Sequence, residues 1–188
     1  MNYRTPARSV FINPTHCARE ALFIKEFNMG TSSIFAAARD GMRTISGPLL
    51  DLSLSRGRDQ FYAVIRSIAP AGIVVPLHGH DEPETMVVVE GVLEAWLDGA
   101  WNTYTKGEVI DIAPNVPHAL RNSGLEEVAL VLVTTPRMAR FFDEISVSQA
   151  QADVTPERLA HIAKTAAAYG FWSASPEQQA AIGIVLPE

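Results

Sequence analysis

Three of the five histidines lie in two short segments that could bind a metal ion. His78 and His80 are two residues apart, so on a β-strand their imidazoles point to the same face. Glu84 follows a turn at 81–83 that can fold its carboxylate back towards them. His118 opens a separate strand just after two prolines that stiffen the chain. Imidazole and carboxylate groups are common ligands of divalent transition metals, so we predict one ion held by these four residues.

Four protein ligands on several strands would still leave positions open for water, a substrate or dioxygen. The chemistry we expect is Lewis-acid and redox catalysis on a substrate that binds the metal through an enolate or hydroxyl oxygen. Glu84 is the candidate catalytic residue, since a carboxylate can act both as a ligand and as a proton acceptor.

Strand parity also predicts the lining of the site. If the ligands face inward, four apolar side chains share their face: Val74, Met86, Val88 and Leu120. An apolar lining favours an aromatic or aliphatic portion in the ligand. The same residue types would fill the core of any β-barrel, so this assignment as a substrate pocket has a purely structural alternative.

Short β-rich segments surround these residues. The predicted strands are separated by turn sequences rich in Gly, Asn, Asp and Pro, and they run over 61–68, 73–77, 85–89, 93–97, 109–112, 118–122 and 128–133. Many short strands at nearly even spacing indicate a sandwich or a barrel.

The C-terminal part is predicted to be helical. Thr155 suits an N-cap, Pro156 the first helical position and Gly170 the end of the helix. Residues 175–178, Ser-Pro-Glu-Gln, resemble a capping box for a short second helix. His161 falls on the polar face of the first helix, where a solvated side chain is expected. Residues 15–27 are compatible with either a helix or a strand.

The composition limits the partners. The formal net charge of −6 disfavours a nucleic-acid partner, because phosphate binding usually needs a basic face. There is no run of 18 apolar residues to span a membrane. Cys17 cannot form an intrachain disulfide on its own, and no signal-peptide pattern opens the sequence, so a cytoplasmic protein is expected.

The histidine pattern resembles the cupin superfamily. Gly72, His78, His80, Glu84 and Gly91 match its first signature at every fixed position. In the second signature Gly107, His118 and Asn122 keep the family spacing, but Ala113 stands in place of a proline and Asn115 in place of a glycine. Asn tolerates a positive φ better than other residues with a side chain, so the turn at 115 can survive.

The resemblance implies a mainly β fold, a double-stranded β-helix or jelly-roll barrel. We expect the cupin barrel over 55–145, with an N-terminal extension at 1–54 packing on it and a C-terminal helical tail at 146–188. The resemblance also implies one divalent ion (Fe, Mn, Ni, Co, Cu or Zn) and a homodimer. The chain, including the tail pattern of residues 155–171, is similar to single-domain cupins described as quercetin dioxygenase-like.

The predicted function is therefore that of a metal-binding cupin with a small-molecule ligand. One hypothesis is a dioxygenase-type oxidoreductase acting on a small aromatic or enolisable compound. The alternatives are a non-catalytic small-molecule-binding cupin and a non-redox metal-dependent lyase or isomerase, since one fold serves many roles.

Overall fold

A computed structural model describes residue 35 and residues 39–53 and 61–185, and the fold in this part of the chain is mainly β. The strands are numbered in chain order as β1 Arg43–Thr44, β2 Leu49–Asp51, β3 Ala63–Ala69, β4 Val74–Gly79, β5 Glu84–Glu90, β6 Val92–Leu97, β7 Ala100–Thr105, β8 Val109–Ile112, β9 His118–Arg121, β10 Val128–Thr134, β11 Val147–Ser148 and β12 Trp172–Ser173. The helices are α1 Pro136–Ile145, α2 Pro156–Ala168 and α3 Pro176–Ala181.

The strands of the described residues form two antiparallel sheets. One sheet has the order β11-β1-β2-β3-β10-β5-β8, and the other has the order β12-β4-β9-β6-β7. From β3 to β6 and from β7 to β10, consecutive strands alternate between the sheets, as in a jelly roll. The predicted mainly β jelly roll with C-terminal helices is confirmed.

Strands such as β5, β6 and β8 bury one face in the barrel core, as the period of two in strand geometry requires. In β5 and β6 the buried residues alternate with partly exposed ones. A single cluster of buried aliphatic side chains fills the space, with Ile65, Val88, Ala95 and Ile110 fully buried in it. Burying large aliphatic side chains contributes about 1.5–3 kcal/mol each, so this cluster stabilises the barrel. Leu77 of β4 and Ala119 of β9, on the strands that bear the histidines, belong to a separate cluster with Ala174 and Ile184.

The structure contains several elements that were not predicted, among them β7 and α1. Strand β7 follows the Asp98-Gly99 turn, where both residues have positive φ, of 53° and 85°, as a two-residue type I′ hairpin requires. Helix α1 follows β10 and starts at Thr135, whose side chain accepts a hydrogen bond from the Met138 backbone N–H. The sequence prediction recognised the turn but included neither element.

The helical tail follows the predicted capping. Thr155 caps α2, with Pro156 in its first turn, and Gly170 lies just beyond the helix with φ of 77°. Ser175 and Gln178 form the predicted capping box of α3. His161 is exposed on α2, as expected.

Part of the predicted N-terminal extension lies outside the described residues, including the ambiguous segment 15–27. Within the described part, residues 43–51 supply β1 and β2, and β2 pairs with β3 of the barrel. No helix of the described part is both long and apolar enough to cross a membrane.

Candidate metal centre

The four predicted ligands come from both sheets. His78 lies near the end of β4, His80 follows that strand, and His118 opens β9, whereas Glu84 opens β5 of the opposite sheet. Strands β4 and β9 are paired so that His78 lies directly opposite His118. The centre therefore lies between the sheets, with its histidines on one wall and its carboxylate on the other.

The three imidazoles converge. The ring centroids of His78 and His118 are 4.2 Å apart, those of His80 and His118 are 4.9 Å apart, and those of His78 and His80 are 5.5 Å apart. One ligand atom of each histidine lies within 4.8 Å of the others, so these three residues can bind one metal ion.

Glu84 lies beside two of these rings. Its carboxylate oxygens are 4.0 Å from Nε2 of His80 and 3.8 Å from Nε2 of His118. Metal–ligand bonds of about 2.1 Å separate two ligands of one ion by at most about 4.2 Å. The two distances involve different carboxylate oxygens of Glu84, and the group of converging ligand atoms contains only the three histidines, so ligation by Glu84 stays a prediction.

Backbone carbonyls fix the protonation of the imidazoles. Nδ1 of His78, His80 and His118 lies 2.8 Å from a carbonyl oxygen in each case, that of Pro76, Glu82 or Val116. A carbonyl oxygen only accepts hydrogen bonds, so Nδ1 carries the proton and donates. The neutral ring then keeps its lone pair on Nε2, which is the arrangement found in histidine ligands of metals.

Two of these Nε2 atoms have no hydrogen-bond partner. His80 is 3% exposed and His118 is 0% exposed, and the Nε2 atom of each is buried and unpaired among the described residues. A buried polar atom without a partner costs about 1–3 kcal/mol and is rare in native proteins. A metal ion bound to Nε2 would remove that cost, so the donor set fits the ion that the sequence predicts.

Burial determines the charge of the centre. It lowers the pKa of His78 to about 3, with further lowering by His118, and it lowers the pKa of His118 to about 4. Burial also lowers the pKa of His80 and raises the pKa of Glu84 to about 7. At neutral pH the three imidazoles are therefore uncharged, as metal ligation requires.

Two asparagines of the second signature, Asn115 and Asn122, hold the loops on either side of β9. Asn115, which replaces the expected glycine, has φ of 65°, as predicted, and its N–H donates to the His80 carbonyl at 2.7 Å. Asn122 is 1% exposed, and its side-chain amide donates to the carbonyls of Ala69, Pro70 and Glu126. The Asn115 bond holds the loop before β9 against the residue that follows β4. The Asn122 bonds hold the residue after β9 against the end of β3 and the loop before β10.

The predicted pocket residues take different positions. Met86 and Val88 are buried in the barrel-core cluster, and Leu120 packs against it. Val74 is 39% exposed at the start of β4, beyond an irregularity in the pairing of this strand between Val75 and His78. Their role in binding a ligand stays a prediction.

Sequence reasoning missed a polar network beside His80. Glu82, whose carbonyl accepts from His80, has a buried side chain that accepts hydrogen bonds from the Thr135 hydroxyl and, at 2.6 Å, from Arg137. Arg137 also contacts Asp81 at 2.9 Å. The Asp81-Glu82-Pro83 segment is therefore more than the predicted turn. Two acidic residues between two metal ligands were the available signal for a cationic partner.

Comparison with known proteins identifies a family for part of the chain. Residues 64–134 match the family described as the cupin domain. No curated protein has detectable sequence similarity to the chain.

Several solved structures are similar over about half of the chain. They include a sugar phosphate isomerase of the cupin superfamily from Silicibacter pomeroyi, with 19% identity and a TM-score of 0.44, over 48% of this chain and 60% of that protein. An RmlC-like cupin from Shewanella frigidimarina has 20% identity and a TM-score of 0.44, and the match covers 50% of this chain and 82% of that protein. The polyketide cyclase RemF from Streptomyces resistomycificus has 17% identity and a TM-score of 0.44, and the match covers 50% of this chain and 67% of that protein.

Proposed function

Residues 64–134 are a domain of the cupin superfamily, and from this premise we propose that the chain is a metal-dependent enzyme of the dioxygenase type. It would bind one divalent ion through His78, His80, Glu84 and His118. Its substrate would be a small aromatic or enolisable compound. The observation that carries the proposal is the pair of buried, unpartnered Nε2 atoms next to a buried carboxylate.

A bound divalent ion would supply Lewis acidity and, if it is redox active, support reaction with dioxygen. The residues of the chain would hold the ion in place and accept a proton from the substrate. The three carbonyl-bonded imidazoles hold their lone pairs towards one point, so little reorganisation is needed for binding. Glu84 would accept a substrate proton, because its carboxylate oxygens lie 4.0 Å and 3.8 Å from Nε2 of His80 and His118 and so next to the ion.

The apolar core beside the centre supports the substrate class. Met86 lies two residues after Glu84 on β5 and Leu120 two residues after His118 on β9, and both pack in or against the aliphatic core. Such a setting favours a ligand with one oxygen-bearing edge and an apolar body. In a dioxygenase reaction both oxygen atoms enter the product, so no additional reductant is required.

Metal content is the first test. Purified protein, reloaded and freed of loose ions, is expected to hold close to one divalent ion per chain by elemental analysis. His80→Ala and His118→Ala should lose most of it. His161→Ala is the matched control, because this histidine is exposed on α2. Unchanged metal content in the first two variants would refute the site.

Oxygen consumption is the second test, with flavonols and other enolisable compounds after loading with Fe, Mn, Ni, Co, Cu or Zn in turn. Uptake with a redox metal but not with Zn supports the proposal. Stoichiometric metal without oxygen uptake under any loading would refute the dioxygenase reaction. It would favour a binding cupin or a non-redox lyase or isomerase.

We also propose that the protein is a homodimer, since β7 and β8 are edge strands of the two sheets and exposed edges attract further pairing. Light scattering after size-exclusion chromatography should give the mass of two chains. The mass of one chain would contradict this.

A further inference from the structure

An aromatic side chain from the C-terminal tail lies against the centre. The ring centroids of Phe171 and His80 are 5.1 Å apart, with the planes tilted by 50°. His80, Glu84 and His118 are buried, whereas Phe171 and His78 are partly exposed. Among the described residues, Phe171 is the aromatic side chain other than a histidine whose ring lies against the centre, and its partial exposure leaves part of the ring open to a bound molecule.

The end of α2 fixes the position of Phe171. The Phe171 N–H donates to the Ala166 carbonyl at 2.9 Å, and the Gly170 N–H donates to the Ala167 carbonyl at 3.0 Å. With Gly170 at positive φ, these two bonds form a Schellman motif. Phe171 also packs in the same apolar cluster as Ala166. The helix therefore stops at a residue that leaves the aromatic ring facing His80.

Strand pairing holds the next two residues. Trp172 and Ser173 pair with Gly79 and His78, so the tail runs along the strand that carries two of the ligands. The indole of Trp172 covers Gly79 so closely that a Cβ on this glycine would lie 2.6 Å from Nε1. The absence of a side chain between His78 and His80 thus makes room for the tail.

Arg137 joins the tail to the turn between the ligands. Its guanidinium contacts Asp81 and Glu82 and donates to the Tyr169 carbonyl. It also lies over the ring of Tyr169, at 5.2 Å from the centroid, and at 5.7 Å from the centroid of Phe171. Arg137 therefore links the turn that follows His80 to the segment that carries Phe171.

From these contacts we propose that Phe171 is a specificity-determining residue, an aromatic wall against which a flat ring of the metal-bound ligand packs. The inference rests on the proposed metal centre. It adds that ligands with a ring next to their metal-binding oxygens are preferred over aliphatic ligands with the same oxygens.

The test uses two probes that differ only in the ring. Acetohydroxamate and benzohydroxamate bind a metal through the same two oxygens, but the second has a phenyl group. Their affinities for the Co²⁺-loaded protein can be measured from the visible absorption of the ion. Wild type should bind benzohydroxamate more tightly. Phe171→Leu should reduce that preference about three- to tenfold, and Phe171→Trp should retain it.

Phe142→Leu is the matched control. Phe142 packs in the same apolar cluster and against Phe141, but its ring contacts no histidine of the centre in the described part of the chain. This variant should keep the wild-type preference, and elemental analysis should give wild-type metal content for every variant.

The outcomes separate the two proposals. Wild type that binds no Co²⁺ refutes the metal centre itself. Wild type that binds Co²⁺ but neither hydroxamate, or both equally well, refutes the aromatic wall and leaves the centre standing. An unchanged preference in Phe171→Leu, or an equal loss in Phe142→Leu, also refutes the wall.

Discussion

Removing the metal should lower the thermal stability of the protein by an amount that depends on His118. In the absence of an ion, the folded chain buries the Nε2 atoms of His80 and His118 without a partner. The imidazoles converge only in the folded state, so binding adds to the free energy of unfolding. The perturbation is to strip the protein with a chelator and then to titrate it with Zn²⁺, which is not redox active.

The size of the effect follows from mass action. Free metal at about a hundred times its dissociation constant adds about 2.7 kcal/mol to the free energy of unfolding. For a domain of this size, about 1 kcal/mol shifts Tm by about 2–4 °C, so Tm should rise by about 5–11 °C. If His118→Ala weakens binding about a hundredfold, the same metal concentration adds only about 0.4 kcal/mol, or about 1–2 °C.

Differential scanning calorimetry of stripped and loaded protein measures these shifts. His161→Ala should show the wild-type increment, because its side chain is exposed and lies on α2. The reasoning would be refuted by His118→Ala gaining as much from Zn²⁺ as wild type does. It would equally be refuted by wild-type Tm that does not change with Zn²⁺.

Three further changes test contacts of the strand that carries His78, of the tail and of the N-terminal strand β2. The side-chain amide of Gln179 accepts a hydrogen bond from the Leu77 N–H on β4 and donates one to the Leu77 carbonyl. Gln179→Leu should therefore lower the free energy of unfolding, measured with urea, by about 2–4 kcal/mol. A decrease below about 0.5 kcal/mol would contradict this. Gly79→Ala should displace the indole of Trp172, which is 41% exposed, and change the tryptophan fluorescence, whereas an unchanged spectrum would contradict that contact. Burial alone would raise the pKa of Asp51, but hydrogen bonds from Ser53 and Arg66 outweigh it and the pKa is lowered. The ionised form therefore stabilises the fold above the ordinary pKa of about 3.9, and this contribution is lost as the pH falls through the lower folded value. Asp51→Asn should cost about 1–2 kcal/mol at pH 7 and progressively less at more acidic pH, and an equal cost at pH 7 and pH 3 would contradict this sign.

Local sequence signals predicted the barrel and the helix ends well. Strands such as Val109–Ile112 were predicted with the observed bounds, because alternation and turn residues act within a few positions. The cap at Thr155 and the positive φ of Asn115 were predictable for the same reason. Each depends on the conformation of one short segment.

Elements with weak local signals were missed. In β7, Ala100–Thr105, most residues are exposed, so the strand lacks the alternation of apolar and polar residues that marks a half-buried strand. This strand exists because β6 pairs with it along its whole length. Pairing of that kind is a tertiary effect, which propensity alone does not contain.

The surroundings of His80 show where sequence reasoning ends. The devices that bring Phe171 to this ring are each visible locally: a glycine that stops α2, a glycine between two histidines, and an arginine in the first turn of α1. None of these local features shows which residue it will contact, because periodicity indicates the buried face of an element but not the element that packs on it. The partners meet only because β12 adds to the edge of β4 and brings the tail back to the strand that carries the ligands. Aromatic residues at three of the four positions 169–172, directly after a helix, are a local sign that this segment packs on something. The centre it packs on can be identified only from the fold.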